Sequence, residues 1–476
     1  MLVWFVVIYL AVSIGIGLAA ATRVKSSSDY ITAGRNLPIY VVFATVFATW
    51  FGAETVLGIS GTFLDDGFAG LISDPLGASL CLILFGLFFA RPLYRLQLLT
   101  IGDFYRRRYS RGVELITSIC IALSYLGWVS AQVVALGLVF DVLTQGAISR
   151  EQGMVLGAAV VTLYTLFGGM WSVAVTTFVQ MIIIIGGLLF ISVLVGDMAG
   201  GVERVVEHAA AQGKFQFLPN FNTIELLAFF GALLTMGFGS IPQQDVFQRA
   251  NSAKTENTAV YGTIFGGIAY FLFAAVPLFL AYAATLIDPD MVSRMMTKDS
   301  QLVLPALVFY HLPLYAQVIF YGALLSVIMS TASGTLLAPS VTIAENVLRG
   351  LLPRMNDHQF LWLTRATVLF FGVLVTLYSL WSNESIHAMV EHAYKVTLVA
   401  AFVPLVAGIY WKRATTQGAA AAIALGLVTW IALELINPEG IWPPQLAGFV
   451  AAVVGMIAGS LLPQRYRGRQ QTAATA

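Results

Sequence analysis

Apolar residues in this chain do not alternate with polar ones. They run in blocks of about twenty, the length a helix needs to cross the hydrocarbon core of a bilayer. Thirteen blocks can be read: 2–22, 38–62, 68–96, 113–145, 152–170, 173–196, 222–245, 257–286, 312–347, 362–382, 386–411, 416–435 and 443–462. The pattern predicts an all-α integral membrane protein with 13 transmembrane helices. The first block is longer than the core of a secretory signal and is followed, not preceded, by basic residues (Arg23, Lys25), so it reads as a retained helix.

Two blocks are interrupted. The second reads Ala48-Thr49-Trp50-Phe51-Gly52-Ala53-Glu54-Thr55 and then Gly58-Ile59-Ser60-Gly61; the seventh reads Gly237-Phe238-Gly239-Ser240-Ile241-Pro242-Gln243-Gln244-Asp245. Glycine is common in membrane helices for close packing. Here Glu54 and Asp245 accompany the breaks, and ionisable residues at that depth are costly. The interrupted blocks lie five spans apart and so run in opposite directions. That predicts a five-plus-five inverted repeat with two broken helices, the arrangement that forms binding sites in secondary transporters. The ninth block adds adjacent Ser330 and Thr331. A lone hydroxyl in a membrane helix usually bonds a carbonyl one turn back. Two together, beside carbonyls freed at a break, make an oxygen-only cage suited to a monovalent cation.

Composition agrees: 58% of residues are hydrophobic and 10% charged, with a mean hydropathy of +0.84. That argues against a soluble enzyme, a nucleic-acid binder or a disordered scaffold, and a formal charge of +1 implies no polyanionic partner. Nineteen of the 25 Lys and Arg residues fall on alternate connections, among them Arg91 to Arg111, Lys412-Arg413 and Arg465, Arg467 and Arg469. Five (Arg150, Arg204, Lys214, Arg294, Lys298) fall on the others, and Lys395 lies within a block. The asymmetry predicts an N-terminus outside and a cytoplasmic C-terminus in a plasma (inner) membrane.

The chain then divides into a first helix and loop (1–37), a first repeat (38–196), an outer connection (197–221), a second repeat (222–411) and a C-terminal part with two helices and a short basic tail (412–476). In the outer connection Val202 to His208 is amphipathic and reads as a surface helix. Glu391 and Lys395, four apart, read as an internal ion pair or as part of an outer gate. Cys81 and Cys120 lie in apolar runs and imply no disulfide. No zinc motif, nucleophile elbow or paired catalytic carboxylates mark an enzyme.

Five short segments in order along the chain resemble the sodium/solute symporter family: Ala33-Gly34-Arg35-Asn36-Leu37, Gly58-Ile59-Ser60-Gly61, Leu163 to Val173, Phe247-Gln248-Arg249 and Met329-Ser330-Thr331. The resemblance implies the leucine-transporter fold. Ala48-Thr49-Trp50, Gly86 to Pro92 and Thr162 to Leu166 are most similar to the choline transporter branch. Carried over residue by residue, the resemblance implies a sodium site made by the carbonyls of Ala48, Phe51 and Val327 and the hydroxyls of Ser330 and Thr331. It also implies an aromatic cage from Trp50 and Trp128, suited to a quaternary ammonium that donates no hydrogen bond.

Two positions depart from the pattern. Gln243 stands where the branch has a third cage Trp. With Glu54, Gln244 and Asp245 it makes a more polar pocket, one that admits a betaine or proline beside choline. Thr176-Thr177 stands where the family usually has Thr-Asp. The expected activity is sodium-coupled import of a small polar organic solute by alternating access, with sodium co-transported and the bilayer as solvent. A membrane-embedded solute sensor is the alternative, which the lack of an appended signalling domain disfavours.

Overall fold

A computed structural model describes residues 2–219, 222–352, 354–382, 384–438 and 440–464. The basic tail with Arg465, Arg467 and Arg469 lies outside the described residues. Helices begin where a polar side chain can cap the free backbone N–H groups of the first turn. Ser110 opens Arg111–Thr144, Ser149 opens Arg150–Met198 in a capping box with Gln152, and Asn356 opens Asp357–Trp381 in another with Gln359.

The polarity is that of a protein dissolved in lipid. Thr331, Ser330, Gln243, Glu54 and Asp245 are buried, while Ile182, Val193, Leu272, Phe370 and Val428 are exposed. Many buried hydroxyls bond a carbonyl in their own helix, as Thr176 does to Ser172 at 2.7 Å. Thr177, at the family's Asp position, is buried and its hydroxyl has no partner among the described residues.

By length and hydropathy, nine helical stretches among the described residues can cross a membrane, or ten with one bent pair counted as a span. The thirteen expected blocks fall on fewer stretches because several are continuous. Blocks 152–170 and 173–196 share the 49-residue stretch Arg150–Met198. Its one non-helical residue is Gly169, with φ 50°, where an added Cβ would meet the Tyr30 carbonyl at 2.4 Å. Likewise Glu54–Arg95 is one mostly helical stretch of 42 residues, interrupted at Asp74 (φ −137°, ψ 126°).

Both predicted breaks are present. Ile39–Trp50 stops at Phe51 (φ −74°, ψ 74°), where the N–H of Gly52 turns back to the Trp50 carbonyl at 2.8 Å, an inverse γ-turn. A wide turn over Glu54–Gly58 and the helix Ile59–Asp66 follow. The second break separates Thr223–Gly239 from Gln244–Asn251, which meet at 44°.

Two of the sequence segments that resemble the family meet where Tyr164 donates to the Met329 carbonyl at 2.7 Å, and residues in three of the segments are tied to chain just outside the others. Leu37 N–H donates to the Ser252 carbonyl at 3.1 Å and Lys254 N–H to the Leu37 carbonyl at 2.9 Å, tying the entry to one broken helix to the exit from the other. Gln248 donates to the Ile31 carbonyl, and Tyr30 donates to the Thr165 carbonyl at 3.0 Å. On the same side Asn346 donates to Asp103 and Glu114, both at 3.0 Å, and Arg111 pairs with Glu114 at 2.8 Å. Burial pushes the Asp103 carboxyl above its ordinary value. The amphipathic segment is the helix Val202–Ala211, with Val205 and Ala209 buried. One expectation is corrected: Lys395 pairs with Glu434 at 3.5 Å rather than with Glu391. The neighbouring helix Thr416–Ile436 brings a carboxylate that helical spacing along a single element cannot reveal.

Candidate functional site

The inverse γ-turn takes the Gly52 N–H away from the Ala48 carbonyl, its partner in a continuous helix, and it leaves the Phe51 carbonyl outside any ladder. The Thr331 hydroxyl fills this gap, 3.1 Å from the Ala48 oxygen and 3.3 Å from the Phe51 oxygen. Ser330 is adjacent, and its hydroxyl donates to the Val327 carbonyl at 2.9 Å. All five residues, Ala48, Phe51, Val327, Ser330 and Thr331, are fully buried, and the groups they present to one another are oxygens. Two carbonyls from the broken helix thus face one hydroxyl from Leu314–Thr342, with a second hydroxyl and its carbonyl one residue away. This donor set of neutral oxygens fits a weakly held monovalent cation.

Trp50 lies between Ala48 and Phe51 and stacks on Trp128, ring centroids 4.7 Å apart and 18° from parallel. Tyr394 leans on both, at 5.3 Å and 5.5 Å, and Tyr125 also stacks on Trp128, at 5.8 Å. The cage pair is therefore together, but its faces are pressed on each other, so an ammonium enters only if the indoles part. The Trp50 Nε1–H and the Tyr394 hydroxyl are both buried and have no partner among the described residues, leaving two donors free for an acceptor.

Glu54 abuts this cluster. Its carboxylate accepts from Gln132 Nε2 at 2.6 Å and from Trp128 Nε1 at 3.4 Å, while the Gln132 carbonyl takes the Ala53 N–H at 3.0 Å. Gln243 meets Ser124 at 2.9 Å and Thr397 at 3.3 Å. Gln244 does not join them: its side-chain oxygen accepts from Ile101 N–H at 2.8 Å, at the start of the short helix Ile101–Arg108. Asp245 is held by Tyr125 at 2.5 Å and by Arg249 at 3.1 Å. It reaches the aromatic cluster only through Tyr125.

Sequence reasoning did not select Tyr125, Gln132 or Tyr394. The first two lie one turn either side of Trp128 on its own helix, a spacing that would have found them. Tyr394 is a polar tip within an apolar block. A cavity of about 780 Å³ lies elsewhere, lined by Phe63, Phe68, Phe215 and Phe279 with Ser192 and Tyr282 as its polar members. It offers a polar solute almost nothing.

Residues 30–426 match the sodium:solute symporter family as a whole. The chain belongs to that family. As a member it is a multi-pass membrane transporter that co-transports sodium, not an enzyme. Among its relatives, the human high affinity choline transporter 1 is 28% identical over 90% of this chain and 75% of its own length. The osmoregulated proline transporter OpuE of Bacillus subtilis is 25% identical, over 96% and 94%. The sodium/pantothenate symporter of Escherichia coli is 26% identical, covering 96% of both. Of solved structures, a Na+-coupled sialic acid symporter in a substrate-bound outward-open state superposes with a TM-score of 0.79 at 17% identity, over 96% of this chain and 97% of the other. The fold of this symporter is therefore that of the sialic acid symporter.

Proposed function

We propose that this symporter carries sodium and a small organic solute with a cationic group, a quaternary ammonium such as choline or betaine or an amino acid such as proline, into the cell by alternating access. The Thr331 hydroxyl set against two carbonyls of a broken helix, with Trp50 between those carbonyls, is the observation that carries this reading. Sodium takes the carbonyls of Ala48, Phe51 and Val327 and the hydroxyls of Ser330 and Thr331, joining the broken helix to Leu314–Thr342. The solute takes the indole faces of Trp50 and Trp128 once they part, with Glu54 and Gln243 at the edge of the site. Gln244 and Asp245 act from behind, through Ile101 and Tyr125. The free Trp50 Nε1–H and Tyr394 hydroxyl favour a solute that also carries an acceptor oxygen.

The architecture that goes with this reading is thirteen spans. It divides Arg150–Met198 at Gly169 and pairs spans two to six with seven to eleven as inverted repeats. The N-terminus lies outside, as the distribution of Lys and Arg favours.

A thermal-shift screen of choline, betaine, proline, other amino acids, sugars and short carboxylates, each with and without sodium, tests the solute class, because a ligand stabilises the state it binds by mass action. The expected hit is a cationic or zwitterionic solute whose effect requires sodium. A hit confined to sugars or simple carboxylates contradicts the reading. For the solute found, Trp50→Phe keeps a ring and is expected to cost little. Trp50→Leu loses the ring quadrupole, about 0.5–2 kcal/mol, and is expected to raise the dissociation constant about 2- to 30-fold. Equal affinities in the two variants would remove the cage from the account.

A further inference from the structure

A buried acid lies beside the solute site without belonging to it. Asp74, in the turn Ile72–Gly77, is 1% exposed. Its Oδ1 contacts the Tyr270 hydroxyl, and its Oδ2 is fully buried with no partner among the described residues. The Tyr270 oxygen lies 3.1 Å from Thr55 Oγ1, and Thr55 Oγ1 donates to the Trp50 carbonyl at 2.8 Å. Asp74, Tyr270, Thr55 and the Trp50 carbonyl therefore form a line of four groups with three oxygen–oxygen contacts.

Each contact requires one proton, and Tyr270 and Thr55 carry one apiece. With Asp74 ionised there are two protons for three contacts. The carboxylate holds the Tyr270 proton, the Trp50 carbonyl holds that of Thr55, and the two hydroxyl oxygens face each other with nothing between. With Asp74 neutral, the acid donates to Tyr270, Tyr270 to Thr55 and Thr55 to the carbonyl, and all three contacts are made. The atom left without a partner is then an uncharged oxygen of the acid instead of half a carboxylate, which is far less costly to bury.

Among the described residues, the elements packed most closely on the turn offer no positive charge to hold the ionised form. The turn packs on Gly67–Leu71, Ala78–Leu84, Thr223–Gly239 and Glu256–Phe273, none of which contains Lys, Arg or His. Their titratable groups are Cys81, Glu225, Glu256, Tyr261 and Tyr270; Glu225 is engaged with Asn222 and Glu256 with Arg91 and Arg95. The nearby acid on the broken helix is Glu54, whose charge would repel that of Asp74.

We propose that Asp74 is a proton-binding site wired through Tyr270 and Thr55 to the Trp50 carbonyl, so that its protonation is linked to the shape of the first broken helix and thereby to sodium binding. The proton is thus a third ligand of this symporter, beyond sodium and solute. Loss of that proton leaves a carboxylate that keeps the Tyr270 proton to itself and breaks the link to Thr55. Linkage is reciprocal, so whatever the proton does to sodium affinity, sodium does to proton affinity.

Two measurements on the purified full-length protein test this. The infrared spectrum at neutral pH is expected to show the carbonyl stretch of a protonated carboxylic acid, part of which disappears in Asp74→Asn. Titration with sodium chloride, followed by intrinsic tryptophan fluorescence from mildly acidic to alkaline pH, is expected to give a half-saturation point that moves by at least about threefold. In Asp74→Asn and Tyr270→Phe sodium still acts, but the half-saturation point no longer moves. Tyr270→Phe retains the acid band, since it cuts the wire and leaves the acid. An infrared spectrum unchanged in Asp74→Asn would overturn the proton site. Undiminished pH dependence in Tyr270→Phe would overturn the wire. An absent sodium response at every pH overturns the coupling to sodium, and the infrared result, which needs no sodium, still decides the proton site.

Discussion

Thr331→Val is expected to raise the sodium concentration for half-maximal uptake by about 10- to 150-fold, with little loss of folded protein. The substitution conserves volume and shape and removes one oxygen. That oxygen lies 3.1 Å and 3.3 Å from the Ala48 and Phe51 carbonyls, so its loss deprives a cation held between the two helices of the ligand that joins them. A polar contact to a charged group is worth about 1.5–3 kcal/mol, which at about 1.4 kcal/mol per tenfold gives the range stated. Ser330→Ala is expected to do less, because that hydroxyl is shared with the Val327 carbonyl of its own helix. Sodium activation of uptake in proteoliposomes measures both. An unchanged sodium dependence in the variant lacking both hydroxyls rejects the site.

Arg249→Met is expected to destabilise the protein by about 3–5 kcal/mol, the usual result of removing one partner from a buried ion pair. Arg249 is 2% exposed, its Nη1 is 3.1 Å from Asp245 Oδ2, and its Nε and Nη2 have no partner among the described residues. The guanidinium approaches Leu314–Thr342 closely at Gly334, where a Cβ would stand 2.1 Å from Nη2. Stranding Asp245 is the costly part. Asp245→Asn added to Arg249→Met is therefore expected to recover most of the loss, since it removes the orphaned charge and can keep the Tyr125 contact. Survival of monodisperse protein after heating measures this, and a double variant no better than the single one contradicts the charge argument.

The sequence disclosed the site unevenly, for physical reasons. Both breaks were visible because Gly, Pro and ionisable residues are conspicuous in an apolar run. Ser330 and Thr331 stood out in the same way. That Thr331 meets Ala48 and Phe51, some 280 residues earlier, is a tertiary fact that only the family resemblance anticipated. Periodicity says which residues share a helix face and nothing about which other helix supplies a partner. Hence Lys395 finds Glu434 instead of Glu391, and Gln244 turns to the backbone of Ile101 instead of to the tryptophans. Asp74 met the criterion that singled out Glu54, an acid inside an apolar block. Pro75 and Gly77 beside it carry the same signal of a break, but its significance depends on Tyr270, which no local pattern connects to it.

Sodium-dependent accumulation is the central claim, and flux in proteoliposomes tests it most directly. Labelled solute, chosen from the thermal-shift screen, is presented to vesicles containing the purified protein under an inward sodium gradient. Accumulation above the outside concentration is expected, abolished when the gradient is dissipated by a sodium ionophore and absent when potassium replaces sodium. A solute that binds in a sodium-dependent manner yet only equilibrates across the membrane, with or without the gradient, would contradict coupled symport.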